Sequence, residues 1–209
     1  MIRGVVFDMD GVLVDAREWH YDALNRAIGL FGYTIARAEH IQTFDGLPTS
    51  RKLQILSQEQ NLPLGLHNFI NEMKQSYTLE HIHTQCRPTF AHQYALAQLR
   101  ARGYKIGVAS NSIRESVDLM MRKTALYEYL DVILGASDVQ RPKPYPDIYL
   151  EASVKLGIPP AELLVVEDNK NGVASAVAAG CRVLEVLNPQ EVYFEKIIGH
   201  IEELNEDDL

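Results

Sequence analysis

Apolar positions along the chain follow two different rhythms. Residues 2–7, Ile2 to Phe7, are nearly all apolar, the pattern of a parallel strand covered on both faces, and predict a buried strand ending at Asp8. Residues 17–83 carry no convincing strand. There Trp19, Ala23, Ala27 and Leu30, then Leu53, Leu56, Phe69, Ile70 and Met73, recur at helical spacing. From Pro88 onward the rhythm alternates: helices over 94–102, 113–123, 147–156 and 171–179, and strands over 105–109, 132–134, 163–166 and 182–186. This predicts an α/β fold, a doubly wound parallel sheet built from residues 1–15 and 87–209, interrupted after its first strand by a helical block over 16–86. An insertion that leaves and re-enters beside the end of that strand is placed to act as a lid, against the plainer reading of an accessory bundle.

Composition narrows the function classes. With 209 residues and 46% apolar content the chain can fill one large domain or a domain with an insertion. A formal net charge of −8 argues against nucleic acid and membrane as partners, since an acidic surface gains nothing from counterion release. An anionic small substrate would need local positive charge in its pocket. The cysteines are Cys86 and Cys181 alone, with no apolar signal region or membrane-length span, so a reduced, cytoplasmic setting is expected, as a monomer or weak homo-oligomer. The acidic end, Glu202 to Asp208, is expected to be a helix end fraying into a solvated tail.

The candidate chemistry lies where strands end. Asp8 and Asp10 sit two apart, so on an extended chain both carboxylates point the same way, and Gly11 then permits a sharp turn. A calcium loop is excluded, because its twelfth position is Trp19 and not glutamate. A merely solvated acidic turn remains open on this segment alone. Ser110 and Ser112 either cap the helix beginning near Ile113 or bind an anion. Lys143, fixed between Pro142 and Pro144, is one cation held at a defined place, or simply part of a rigid loop. Asp168, with Glu167 before it, follows another apolar strand and either caps the next helix or ligates a hard cation. Taken together, Asp8, Asp10 and Asp168 offer oxygen ligands suited to magnesium, while Ser110 and Lys143 offer a hydroxyl and a cation for phosphate oxygens. That combination suits phosphoryl transfer.

With Phe7-Asp8-Met9-Asp10-Gly11-Val12, Ser110-Asn111, Lys143-Pro144-Tyr145-Pro146-Asp147 and Glu167-Asp168-Asn169-Lys170-Asn171-Gly172 in this order, the chain resembles the haloacid dehalogenase superfamily. Within it, the chain is similar to the branch of beta-phosphoglucomutase and phosphoglycolate-phosphatase-like enzymes. The resemblance implies a Rossmann-like core with an inserted helical cap. It implies Asp8 as a nucleophile forming an aspartyl-phosphate, and Asp10 as the general acid that then activates water. Ser110, Asn111 and Lys143 would hold the phosphoryl group. Magnesium would lie on Asp8, the backbone carbonyl of Asp10 and Asp168, with Glu167 binding through water or orienting the others. Two departures from the mutase pattern, Ala16 after Asp15 and Arg51 displaced from Gly46, favour a phosphatase over a phosphomutase, although His20 does match a histidine of mutases. Arg17, His20 and Arg51 are the cap residues expected to meet the organic part of a small phosphorylated metabolite, and Arg17, Arg51 and Lys74 are candidates to grip the second phosphate that a mutase would need. Each has the alternative of being an ordinary surface or packed residue. A non-catalytic phospholigand-binding protein is the remote alternative, and would be suggested by loss of Asp8, Asp10 or Lys143; all three are present.

Overall fold

Five short strands, β1 (Gly4–Phe7), β2 (Lys105–Ala109), β3 (Val132–Leu134), β4 (Leu163–Glu167) and β5 (Arg182–Glu185), pair in parallel in the order β3-β2-β1-β4-β5. The computed structural model describes residues 1–207. In register, Phe7 lies opposite Val108 on one side and Val166 on the other. The chain runs outward from β1 through β2 to β3, then returns to place β4 on the other side of β1. The strand order therefore reverses between β1 and β4, where ligands bind in open α/β sheets. This is the doubly wound parallel sheet expected from the apolar runs. Val6, Ala109, Leu163 and Val165 belong to one buried cluster, and the alternate positions Val5, Phe7, Ile106, Val108, Leu164 and Val166 are equally buried. Alternation puts these two sets on opposite faces, so the sheet is covered on both.

The chain divides into two compact units, Met1–Asp15 with Arg87–Leu209, and Ala16–Cys86. The second is helical: α1 (Arg17–Gly29), the short α2 (Arg37–Glu39) leading into a π-helical turn at His40–Phe44, α3 (Thr49–Gln60) and α4 (His67–Gln85). It has its own core, in which Leu24, Ala27 and Ile28 of α1 meet Ile35, Phe44, Leu53, Leu56 and Ile70. Asn61 ends α3 in the left-handed region at φ 58, a position that asparagine tolerates better than most residues.

Around the sheet lie α5 (Phe90–Ala101), α6 (Arg114–Lys123), α7 (Asp147–Leu156), α8 (Lys170–Ala179) and α9 (Phe194–Asp207). Ile148, Tyr149 and Ala152 of α7, with Ala176 and Ala179 of α8, join the Val6 side of the core. α5 begins earlier than its apolar period suggests, because Phe90 is exposed and adds nothing to that period. The acidic end is helical through Asp207; residues 208–209 lie outside the described residues. No helix among the described residues is long and apolar enough to cross a membrane.

Candidate active site

β1 stops at Phe7, one residue short of the expected Asp8, yet the Asp8 N–H still donates to Val166 O at 2.9 Å and so stays on the sheet edge. The chain then leaves the extended conformation. Met9 O accepts from the N–H groups of Leu13 at 3.0 Å and Val14 at 2.9 Å, and Gly11, at φ 93, donates to Val14 O at 2.7 Å. A side chain at position 11 would be strained in that backbone, which accounts for the glycine. Met9, Val12 and Leu13 are buried and anchor the loop. Asp8 and Asp10 are thus arranged by a hydrogen-bonded turn and not by strand alternation. They meet different partners: Asp8 Oδ1 accepts from Lys143 Nζ at 2.6 Å, and Asp10 Oδ2 accepts from the hydroxyls of Ser112 at 2.8 Å and Ser110 at 3.3 Å.

The loop after β2 is built for this contact. Ser110 N–H donates to Leu134 O at 3.1 Å, and Ser110 Oγ accepts from Ser112 N–H at 3.0 Å. Neither serine caps α6, whose N-cap is Ile113 without a side-chain bond. Gly135 lets the chain after β3 pass close by, since a Cβ there would lie 2.6 Å from Arg114 N. Asn111 uses both ends of its amide on Lys143, accepting from its N–H at 3.0 Å and donating to its carbonyl at 3.2 Å. This ties the loop after β2 to the loop that carries the lysine. The Lys143–Pro144 peptide is cis. The ammonium itself, 3% exposed as a residue, donates to Asp8 Oδ1 at 2.6 Å, Glu167 Oε1 at 2.6 Å and Ala109 O at 2.8 Å, which uses all three of its protons.

At the end of β4, Glu167 is buried and fully engaged. Oε1 accepts from Lys143 and from the Tyr149 hydroxyl, each at 2.6 Å, and Oε2 accepts from Asp168 N–H at 3.1 Å and Asn169 N–H at 3.4 Å. It can sit there because residue 172 is glycine: a Cβ would fall 1.8 Å from Oε1. Asn169, and not Asp168, caps α8, accepting from Asn171 N–H at 2.9 Å. Asp8, Glu167 and Asp168 each turn a carboxylate oxygen to within 4.8 Å of the others. These are hard oxygen donors, fitting a divalent cation such as magnesium or manganese rather than a soft metal.

Electrostatics point the same way. Burial pushes the Asp8 carboxyl up to about 8, Glu167 and Asp10 adding to the rise while Lys143 opposes it. For Lys143, burial works against the ammonium, but Asp8 and Glu167 outweigh it and hold the group above its ordinary range. One buried cation among three carboxylates leaves the cluster short of positive charge, and a divalent ion would offset that excess.

The remaining expected site residues lie in the helical unit. Arg17 and His20 are on α1, and Arg51 is exposed on α3, where it donates to Gln54 at 3.1 Å. Lys74 of α4 is buried, with Nζ 3.2 Å from His20 Nδ1. Ser112, expected as a cap or an anion binder, instead gives its hydroxyl to Asp10. Tyr149 escapes sequence reasoning, since it reads as one more core position of α7 between Ile148 and Ala152.

Residues 5–186 match the family model described as haloacid dehalogenase-like hydrolase. A phosphorylated carbohydrates phosphatase of Thermotoga maritima is 27% identical over 208 residues, covering 98% of this chain and 88% of the relative. A phosphoglycolate phosphatase of Yersinia pseudotuberculosis is 31% identical over 185 residues, covering 86% and 78%. Among solved structures, a beta-phosphoglucomutase of Clostridium difficile superimposes with a TM-score of 0.85 over 99% of this chain and 98% of its own, at 22% identity, a likeness of fold.

Proposed function

As the chain belongs to the haloacid dehalogenase-like hydrolases and is a phosphohydrolase, we propose that it hydrolyses a small phosphomonoester, a phosphorylated sugar or acid, through Asp8. The observation that carries this is the pairing of two carboxylates held in different ways at the strand-order reversal. Asp8 is buried against a lysine, and Asp10 is held by two hydroxyls.

In the first step an Asp8 oxygen attacks phosphorus, the bond from phosphorus to the ester oxygen breaks, and Asp10 gives its proton to the departing alkoxide. Water then attacks the aspartyl-phosphate, Asp10 takes the water's proton, and phosphate leaves with Asp8 restored. Ser110 holds the transferring phosphoryl group by its hydroxyl and Lys143 by its charge beside Asp8, and Asn111 keeps Lys143 in place through its backbone. Asp8, the Asp10 carbonyl and Asp168 would hold magnesium, with Glu167 orienting them, and the ion would supply positive charge to the phosphoryl oxygens. The phosphatase names of the sequence relatives support hydrolysis over phosphomutase activity.

Phosphate release from sugar phosphates, phosphoglycolate and p-nitrophenyl phosphate tests this reading. Turnover is expected with magnesium, to be lost on chelation, and to fall by several orders of magnitude in Asp8→Asn. Activity that survives in metal-free buffer, or in Asp8→Asn, contradicts it. Isomerisation of a hexose phosphate without net release would mark a mutase.

A further inference from the structure

We propose that the Tyr149 hydroxyl is a positioning group for the reaction, holding Glu167 so that the Lys143 ammonium is shared with Asp8 and not drawn wholly to Glu167. This rests on the hydrolase reading above and adds to it a residue outside the expected set.

Lys143 faces two buried carboxylates that compete for it, with 2.6 Å to Asp8 Oδ1 and 2.6 Å to Glu167 Oε1. The same Glu167 oxygen that accepts from Lys143 also accepts from Tyr149 Oη at 2.6 Å. A neutral donor on that oxygen satisfies part of its charge without adding a cation, and so weakens its hold on the ammonium. Tyr149 is fully buried, so its hydroxyl meets Glu167 away from bulk solvent. A phenol hydroxyl facing a carboxylate oxygen at this distance is the donor of the pair.

The lysine and the tyrosine are linked by chain as well as by chemistry. The loop that carries Lys143 runs directly into α7, where Tyr149 sits, and Ser175 of α8 donates to Tyr145 O at 2.6 Å, fixing that loop. The segment therefore approaches Glu167 with two donors. The Tyr149 ring also lies 4.8 Å from Lys143 Nζ, a cation–π contact that phenylalanine would keep. Tyr149→Phe therefore removes the hydroxyl alone.

The test uses p-nitrophenyl phosphate with saturating magnesium. Tyr149→Phe is expected to lower kcat by about 10–100-fold, as loss of groups that support metal-site ligands does. KM should stay within about twofold, since substrate contacts remain, and the thermal midpoint within about 5 °C. In urea unfolding, Tyr149→Phe and Glu167→Ala should be non-additive, because each removes one end of the same hydrogen bond. An unchanged kcat overturns the proposal, as does additivity, or a kcat loss that comes with a collapse of the thermal midpoint and marks a packing role. Turnover by the parent chain and its loss in Asp8→Asn decide the hydrolase reading separately.

Discussion

Residue 172 sits against the most crowded carboxylate of the site. An added methyl group there would overlap Glu167 Oε1 at 1.8 Å and Cδ at 2.0 Å. Glu167 has little freedom to yield, because Lys143, Tyr149 and two backbone N–H groups hold it. Gly172→Ala should therefore destabilise the protein by about 1–3 kcal/mol, the usual range for overpacking, and lower kcat with it. Urea unfolding and phosphate release measure the two effects. Asp10 makes a different prediction. If it transfers the proton to the leaving oxygen, Asp10→Asn should cost about 10²–10⁴-fold on an alkyl phosphate, and much less on p-nitrophenyl phosphate, whose leaving group needs no acid. Equal losses on both substrates would argue for a purely positional role. Asp8, Ser110 and Asp168 are legible in sequence because each follows an apolar strand, and Lys143 because Pro142 and Pro144 flank it. Tyr149 is not, since a buried hydroxyl on a helix face has the same pattern as a buried ring.

At the scale of elements, β2 and β3 formed over the residues that their apolar runs mark, while β1 and β4 differ from expectation at their ends. Those ends are set by hydrogen bonds that the side-chain pattern does not carry: the Met9 carbonyl turn halts β1, and Val186 N–H to Glu167 O at 2.8 Å carries β4 through Glu167. The π-helical turn at His40–Phe44 was hidden for the same reason. It buries His40, whose ring meets Tyr21 edge-on at 5.0 Å and whose Nε2 has no hydrogen-bond partner among the described residues. Burial first, then Lys52, brings this imidazole from 6.5 down to about 4; Arg37 lowers it further, while Asp45 and Glu18 oppose. Between those two values the unfolded chain binds a proton that the folded chain refuses, so stability falls as pH drops through that window and is unaffected by this group above it. His40→Leu should flatten that part of the stability profile. Thermal unfolding from pH 7 to pH 4.5, parent against variant, checks it, and identical profiles would contradict the assignment.

For the whole molecule, the division into two units separates two groups of candidate residues. The α/β unit holds Asp8, Asp10, Ser110, Lys143, Glu167 and Asp168, and the helical unit holds Arg17, His20, Arg51 and Lys74. The acid and lysine cluster is bound within its own unit by the contacts that set its geometry, as in Lys143 to Asp8 and Asn111 to Lys143. Transfer of a phosphoryl group to Asp8 should therefore depend on that unit alone, and selection of the organic part of the substrate on the cationic residues of the other. His20→Ala and Arg51→Ala should change the ranking of kcat/KM among sugar phosphates and phosphoglycolate, while phosphorylation of Asp8 by a minimal donor such as acetyl phosphate continues at the parent rate. His20→Ala also removes the partner 3.2 Å from Lys74 Nζ, so Lys74→Met should shift preference in the same direction. If the ranking is unchanged in all three variants, the helical unit takes no part in choosing the substrate, and the insertion is a packed bundle joined to a complete phosphohydrolase.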